Sequence, residues 1–294
     1  FFENGGFKVE IIETDNAIAA NQMVADGKAD LTFVMNNSDF IPKKLSGNVG
    51  SLRTISLLYE RLFFIFSRSG YDSALNRGYA LQGKKIGIEV LNGETHQNLR
   101  RMVDLARIDN VEIVKKGDDP DYVHFWGTYY GDRATKLIAD GWQEVSLEPS
   151  MINFLTLNQP TLKPFLLPAI PGFEGSNDIN TFSVSTYLVG SSRLGEKAIY
   201  QLSQYIIEHR LELMGYDLMY RSVNETIDAS SLLFPLHRGA DAYFRRDQPS
   251  FLERYADALA FLVSIAAVLY GLIQGLRNRL RIVKKERIDL YFLD

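Results

Sequence analysis

Cysteine is absent from the 294 residues of this chain. Its absence excludes disulfide bridges, cysteine-ligated zinc or iron–sulfur centres and a catalytic thiol. The four histidines show none of the close spacings that metal sites use. The chain also lacks a P-loop, a G-x-S-x-G elbow and a G-x-G-x-x-G sequence after a strand. We therefore expect no catalytic residues, no metal site and no cofactor.

The chain also has no excess of positive charge, because its net charge is −4. This balance argues against a nucleic-acid-binding protein, which usually carries a basic face. Hydrophobic residues make up 46% and charged residues 23%, as in a folded globular chain. The length suits two domains. The acidic turn Asp118–Asp121 lacks the ligand spacing of calcium loops, so we expect a solvated loop there.

One segment near the C-terminus is long and apolar enough to cross a membrane. Ala258–Ile273 is a run of 16 residues without charge. As a helix, Ala256–Leu276 would span about 32 Å, enough for the bilayer core. Six basic residues follow, and the positive-inside rule places that end in the cytoplasm. The alternative is a buried helix of a globular domain, but the segment is apolar all round.

The start of the chain, Phe1-Phe2-Glu3, includes neither an initiating methionine nor a signal peptide. We interpret the sequence as a fragment whose N-terminal segment is missing.

Strand and helix patterns alternate before the membrane segment, which predicts an α/β fold with largely parallel sheets. Arg53–Ser67 is long enough for two strands, and Arg238–Asp247 has the composition of a polar linker. The other predicted strands are Lys8–Thr14, Ala29–Met35, Lys84–Glu89, Val111–Lys115, Tyr122–Trp126, Trp142–Leu147 and Asn180–Val189. The predicted helices are Ile18–Ala25, Thr95–Ala106, Tyr130–Ala139, Gly195–His209 and a membrane helix from Ser250.

Three polar clusters follow predicted strands, two of them where a helix begins. In open α/β sheets this is where ligands sit, because free N–H groups and the helix dipole attract anions. The alternative is ordinary helix capping. The candidate ligand-binding residues are Thr14, Asp15 and Asn16; Asn36, Asn37 and Ser38; and Gly93, Glu94 and Thr95.

Two acidic residues among these candidates bear on the charge of the ligand. Asp15 or Glu94 would repel an anionic ligand if it faced the site. Either could instead pair with a ligand ammonium group, which would favour an amino acid or an amine. Glu94 could also simply complement the dipole in the first turn of its helix.

Aromatic and charged residues near the middle of the long apolar run give further candidates. Glu60 and Arg61 could hold ligand or tie two lobes together, or form a surface salt bridge. Tyr129, after a predicted strand, could supply an aromatic wall or pack in the core.

Four groups of segments, in this order and spacing, resemble the TAXI-type solute-binding proteins, the receptors of one class of TRAP transporters. They are VEIIET (9–14) with GKADLTFV (27–34); LQGKKIGI (81–88) with GET (93–95); LPAIPGF (167–173) with 184–189; and FPLHRGA (234–240) with 249–255. The last resembles the end of family members that carry a C-terminal membrane anchor. Phe173 matches a family aromatic near the hinge, where it would either pack or contact ligand.

The resemblance implies a two-lobed type II periplasmic-binding-protein fold, in which two crossing strands join the lobes. Lobe I would comprise 1–65 and 183–237, and lobe II 66–182. A linker (238–254), a transmembrane helix (255–276) and a basic cytoplasmic tail (277–294) would follow.

The implied function is that of a receptor that closes on a small organic acid or amino acid and delivers it to a TRAP permease. It would be anchored in the bacterial inner membrane, with its binding part in the periplasm. An alternative is a membrane-tethered sensor or scaffold of the same fold that binds no transported solute. An enzyme of this shape is disfavoured, because no acid–base or nucleophile set is visible in the sequence.

Overall fold

The computed structural model describes residues 1–36, 45, 49–68, 74–75, 79–128, 131–169, 178–224, 226–228, 232–249 and 254–291, with the side chains of the last helix as far as residue 282. The chain divides into two compact units, Phe1–Phe244 and Arg245–Asp294. The first unit holds the sheets and every element described below except the last helix.

The first unit is built on an eight-stranded sheet in the order β1-β10-β2-β6-β4-β5, with β7 beside β2 and β9 beside β10. A separate pair, β3 and β8, is parallel. The strands are β1 Leu31–Met35, β2 Leu52–Ser67, β3 Ala74–Leu75, β4 Lys85–Ile88, β5 Glu112–Lys115, β6 Tyr122–Gly127, β7 Gln143–Glu144, β8 Ser146–Leu147, β9 Leu162–Leu167 and β10 Ile179–Ser191.

The predicted α/β class is confirmed, whereas the expectation of a largely parallel sheet was wrong. β10 runs antiparallel to β1, β2 and β9, and β2 runs antiparallel to β6 and β7. Of the strand pairs described in the main sheet, only those of β4 with β5 and β6 are parallel. An apolar strand covered on both faces has the same composition in either direction, so the composition could not reveal the direction.

Two long strands run through the whole sheet and change partners along their length. β2 has 16 residues, where two strands were predicted. It pairs with β10 from Leu52 to Leu62 and with β6 from Leu62 to Ser67. β10 pairs with β9 as far as Val184 and with β1 from Thr186 onward. By changing partners, β2 joins β10 to β6, and β10 joins β9 to β1.

The helices pack on both faces of the sheet in the first unit. α1 has a complete set of local signals: Asn16 caps its start, and Gly27 ends it in the left-handed conformation at φ 76°. The helices are α1 Ala17–Asp26, α2 Glu94–Leu105, α3 Asp132–Ala139, α4 Pro149–Asn158, α5 Glu196–Glu208, α6 Arg210–Tyr216, α7 Arg238–Phe244 and α8 Ala256–Tyr291, with a 3-10 helix at Leu218–Ser222.

The core lies on the two faces of the long strands, because successive side chains of a strand point to opposite sides. Phe63 and Ile65 of β2 pack with residues of α2 such as Leu99. Phe64 and Phe66 pack on the other face with residues of α3 such as Leu137. The near-continuous apolar run of β2 thus reflects burial on both faces.

Lys8–Thr14, predicted as a strand, is not one. The segment forms no regular secondary structure, and the apolar side chains of Val9, Ile11 and Ile12 are exposed. Its alternation of apolar and charged residues favours a strand locally, but strand formation depends on a neighbouring strand as well as on propensity.

Two further segments differ from the sequence-based expectation. Trp142–Leu147, predicted as one strand, forms the two short strands β7 and β8, which belong to different sheets. Arg238–Phe244, assigned to the polar linker, forms α7 and buries Ala240 and Tyr243.

The second unit is dominated by α8, a helix of 36 residues. Its part Ala256–Ile282 is a candidate membrane span with a mean hydropathy of 2.1, and none of that window is buried within the protein. Its length and its apolar composition identify this part of the helix as a candidate membrane span. Residues 250–253, where the membrane helix was predicted to start, lie outside the described residues.

Candidate functional site

A pocket of about 290 Å³ lies where β6 ends and α3 begins. Its size is close to the lower end of the range for small-molecule sites. Aromatic rings, two arginines and the start of a helix form its walls. The lining residues are Tyr59, Arg61, Phe125, Trp126, Gly127, Thr128, Gly131, Asp132, Arg133, Ala134 and Met219.

Arg61 brings a positive charge to the pocket from the middle of β2. Its Nη2 donates a hydrogen bond to the Tyr59 hydroxyl at 3.2 Å, and its guanidinium lies 5.7 Å from the centre of the same ring. The hydroxyl is neutral, so this contact orients the guanidinium without neutralising it. The charge therefore stays available for an anion.

The start of α3 adds backbone donors to the same pocket. Gly131 precedes the helix, and no side chain of the described residues caps this end. The first N–H groups of a helix lack partners within the helix and carry the positive end of its dipole. With Arg61, they favour an anionic group in the pocket.

Arg133, in the first turn of α3, is held in place from two sides. Its Nη2 lies 2.8 Å from Glu89 Oε1, and its guanidinium stacks 4.2 Å from the centre of the Phe125 ring. Burial lowers the pKa of Arg133, and Glu89 opposes that effect. Its Nε is buried without a hydrogen-bond partner among the described residues.

Trp126 contributes a second buried donor without a partner. Its ring packs edge-on against Phe63, and the residue is 8% exposed. Its Nε1 has no acceptor among the described residues. Buried donors in folded proteins nearly always have an acceptor. The unpaired N–H groups of Trp126 and Arg133 are both shielded from solvent, so they belong to the wall behind the pocket surface.

Two acidic groups bear on the charge of this pocket: Asp132 lines it, whereas Glu94 lies outside the lining and interacts electrostatically with Arg61. Glu94 is the first residue of α2, and its Oε1 is inaccessible to solvent and has no hydrogen-bond partner among the described residues. Burial raises the pKa of the Glu94 carboxyl to about 7, although the positive charge of Arg61 opposes the rise. Near neutral pH this carboxyl is therefore divided between its charged and neutral forms.

The first predicted cluster lies on the surface at the start of α1. Asn16 Oδ1 accepts a hydrogen bond from Ala19 N at 3.0 Å, and Thr14 Oγ1 donates to Asn16 O at 3.4 Å. Asp15 is exposed. These contacts are those of a helix cap, and none of the three residues lines the pocket.

The other predicted residues separate into three groups. Asn36 is buried, and its Oδ1 accepts from Leu233 N at 2.8 Å, which fixes the end of β1 to a distant segment. Gly93 and Thr95 stand beside Glu94 at the start of α2, outside the pocket lining. Asn37, Ser38, Tyr129 and Phe173 lie outside the described residues.

Glu60, the neighbour of Arg61, points to a different set of partners. It accepts hydrogen bonds from Lys163 Nζ at 2.8 Å, Ser183 Oγ at 2.6 Å and Ser185 Oγ at 3.1 Å. The ion pair with Lys163 ties β2 to β9, and the two serines tie it to β10. Glu60 thus joins three strands and does not pair with Arg61.

The described residues contain no group of three or more His, Asp or Glu side chains that could hold a metal ion. His124 is fully buried in β6, where its Nδ1 lies 2.8 Å from Phe64 O and its ring stacks on Phe63. Burial lowers the pKa of His124 to about 4. The ring is therefore neutral near pH 7.

Sequence reasoning found part of this pocket and missed the rest. Arg61 was considered because it lies near the middle of the long apolar run, and Gly127 and Thr128 directly precede the candidate Tyr129, which follows a predicted strand. Trp126, Arg133 and Met219 were missed. A correct start for α3 would have placed Arg133 in the first helical turn, but the sequence offers no signal for the approach of Met219.

Two family profiles match the chain. The NMT1/THI5-like profile matches residues 1–161, which is more than half of the chain, and the NMT1-like family profile matches residues 139–246. The chain belongs to the NMT1/THI5-like family. No curated protein sequence matches it.

Solved structures with a similar fold include several binding proteins. An ancestral arginine-binding protein bound to arginine has 16% identity and a TM-score of 0.43, covering 74% of this chain and 80% of that one. A Xanthomonas citri protein bound to ATP has 10% identity and a TM-score of 0.47, covering 83% and 88%. A putative L-cystine ABC transporter from Listeria monocytogenes has 10% identity and a TM-score of 0.39, covering 75% and 82%. At these values no ligand is transferred to this chain.

Proposed function

We propose that this protein is a membrane-anchored, extracytoplasmic solute-binding receptor that holds a small organic acid or amino acid in the pocket beside Arg61. The observation that carries the proposal is the pocket itself. It combines Arg61, whose side chain hydrogen-bonds the neutral Tyr59 hydroxyl, with the start of α3, where no side chain of the described residues caps the helix. These groups fit the carboxylate that organic acids and amino acids share.

A two-lobed arrangement with hinge closure is part of the proposal. The lobes would be 1–65 with 183–237, and 66–182. The partner exchange of β2 at Leu62 and of β10 between Val184 and Thr186 supports this division. The pocket would then lie between the lobes, because Tyr59, Arg61 and Met219 come from one and the residues of β6 and α3 from the other.

The receptor would serve a TRAP-type transporter of the TAXI class and deliver its solute to the permease. The resemblance of the four groups of segments to TAXI-type receptors supports this assignment, and the candidate span Ala256–Ile282 supports the anchor. The basic residues after the span, beginning with Arg277, would place the tail in the cytoplasm and the binding unit in the periplasm of the inner membrane. The anchor would keep the receptor near its permease.

A thermal-shift screen of the detergent-solubilised full chain tests the proposal. The library would hold organic acids, amino acids and amines. A ligand at 100 times its dissociation constant should stabilise the protein by roughly 2.7 kcal/mol. The variant Arg61→Gln should lose the shift, whereas Arg100→Gln, an exposed arginine of α2, should retain it.

Silence across the library from a folded sample would count against solute binding. It would favour the tethered sensor or scaffold, and a search for a protein partner would follow. A hit that Arg61→Gln leaves unchanged would place the ligand elsewhere in the molecule.

A further inference from the structure

We propose that the pocket selects α-amino acids over other organic acids, and that Asp132 is the residue that makes this selection. Asp132 binds the ammonium group of the ligand, while Arg61 binds its carboxylate. The inference rests on the proposed solute-binding function and deepens it, because it names the class of solute and the residue that distinguishes that class.

The charged side chains in the lining of the pocket are the first support. They are Arg61, Asp132 and Arg133. Arg133 is already neutralised, because its Nη2 lies 2.8 Å from Glu89 Oε1. Arg61 and Asp132 form no ion pair with each other or with another described residue. The lining therefore holds one cation and one anion that a ligand with one charge of each sign would pair.

The carboxylate of Asp132 is accessible and has not been used by the fold. Asp132 is the first residue of α3, directly after Gly131, and it is exposed. Its backbone oxygen accepts a hydrogen bond from Thr135 Oγ1 at 3.0 Å, whereas its carboxylate oxygens have no partner among the described residues. Both oxygens are thus available to an ammonium group.

Thr128 adds a neutral acceptor close to Asp132. Its backbone oxygen accepts from Gly131 N at 3.3 Å, which holds the end of β6 against the start of α3. A Cβ on Gly131 would stand 3.0 Å from Thr128 Oγ1, so the absence of a side chain there leaves space beside that hydroxyl. The hydroxyl has no partner among the described residues. An ammonium group has three donors and needs more than one acceptor, which Asp132 and Thr128 together supply.

Arg61 supplies the donors for the other end of the ligand. A guanidinium has five N–H donors, and the described residues use one of those of Arg61, in the bond to the Tyr59 hydroxyl. The remaining donors suit a carboxylate, which arginine commonly binds through two parallel hydrogen bonds. An α-amino acid carries its carboxylate and its ammonium group on one carbon atom. Arg61 and Asp132 line one pocket of about 290 Å³, so a ligand of this size meets both of them.

An organic acid without an ammonium group fits the same lining less well. Its carboxylate finds Arg61, but it brings no positive charge to Asp132. Asp132 then repels the ligand within a small pocket, and a like charge placed opposite a ligand is an effective means of rejecting it. The residue therefore favours one class of acid and disfavours the other.

Asp132 also has an ordinary structural role, because a carboxylate in the first turn of a helix is favoured by the helix dipole. In that role alone it would stabilise α3 and would affect both classes of ligand alike. The two roles are therefore separated by the ligand preference of a variant and not by its stability.

Matched probes measure this preference. Each pair shares a side chain and differs in having an ammonium or a hydroxyl group: alanine and lactate, phenylalanine and phenyllactate, aspartate and malate, glutamate and 2-hydroxyglutarate. They would be titrated by calorimetry into the detergent-solubilised full chain at pH 7. The ratio of the two dissociation constants within a pair gives the preference.

We expect the parent to bind the amino acid of at least one pair about tenfold more tightly than its hydroxy acid. Asp132→Asn should remove most of this preference, chiefly by weakening the binding of the amino acid. Asp132→Glu keeps the charge and should keep much of the preference. Asp104→Asn removes an exposed carboxylate of α2, outside the pocket lining, and should behave as the parent does. Tryptophan fluorescence during urea unfolding confirms that each variant is folded.

Three results would overturn the inference while leaving solute binding intact. The parent could bind hydroxy acids as tightly as amino acids, or more tightly. Asp132→Asn could leave the preference for amino acids unchanged, or it could weaken both classes equally. If Arg61→Gln does not weaken binding, or if no probe binds the folded parent, the proposed function itself fails in this pocket and the inference fails with it.

Discussion

Replacing Glu144 by glutamine should change how the free energy of unfolding depends on pH. Glu144 of β7 lies opposite Phe66 of β2, and its Oε1 is buried without a hydrogen-bond partner among the described residues. Burial raises the pKa of this carboxyl from 4.5 to about 7. The folded protein therefore keeps a proton on Glu144 at pH values where the unfolded chain has lost it.

The sign and the magnitude follow from that difference. Below pH 4.5 both states are protonated and the contribution of Glu144 to stability is fully present. It is lost as the pH rises to about 7 and is constant above that. The full shift corresponds to about 3.4 kcal/mol. Because the side chain is not wholly buried, we expect about 2 kcal/mol.

Urea unfolding of the full chain in detergent, followed by tryptophan fluorescence, measures this effect. Both tryptophans, Trp126 and Trp142, belong to the first unit, so the signal reports its unfolding alone. Relative to the parent, Glu144→Gln should gain about 2 kcal/mol between pH 4.5 and pH 7. Contributions from other groups cancel in the comparison.

Glu112→Gln serves as the control, because the Glu112 side chain is 63% exposed and pairs with Lys85 only at 3.9 Å. It should follow the parent at every pH. If the Glu144→Gln and parent curves also run parallel from pH 4.5 to pH 7, burial does not raise the pKa of Glu144 and the reasoning is refuted.

Three further predictions concern the first unit. His124→Asn should remove the loss of stability that the parent shows between pH 6.5 and about 4, a change of about 3 kcal/mol in urea unfolding. If the variant loses as much stability as the parent over this pH range, the prediction is wrong. Gly239→Ala should lower the melting temperature by several degrees, because a Cβ there would overlap the Glu196 carbonyl oxygen, whereas Gly117→Ala enters open space and should be neutral. Ser183→Ala should cost about 1.5 kcal/mol in urea unfolding by removing the bond to Glu60, and a neutral result would show that this bond contributes nothing.

The elements that were predictable from the sequence carry their own local signals. α1 has Asn16 at its start and Gly27 at its end, so its position needs no tertiary information. Strands such as β6 and β10 were found from their apolar runs. Strand direction and partners were not found, because they depend on residues more than 100 positions apart, such as Glu60 and Ser185.

The pocket was less accessible to prediction for the same reason. Its walls come from β2, the end of β6, the start of α3 and the 3-10 helix Leu218–Ser222. A polar residue at the start of a helix did not by itself reveal whether it caps the helix or has another role. At Asn16 the polar side chain caps its own helix, whereas at Glu94 it is buried without a partner, and the two look alike in sequence.

The long-range pairing of β2 with β10 also governs the order in which the sheet can assemble during synthesis. Glu60 cannot pair with Ser185 until that residue has been synthesised. At about 5–20 residues per second, the ribosome needs on the order of ten seconds to get from Glu60 to Ser185. The strand β6 emerges earlier and can cover the segment from Leu62 to Ser67. Among the described strands, Leu52–Arg61 pairs with β10 and so stays uncovered for that interval, as does β1, which also pairs with β10. The nascent chain therefore exposes two apolar strand segments that a chaperone would have to protect.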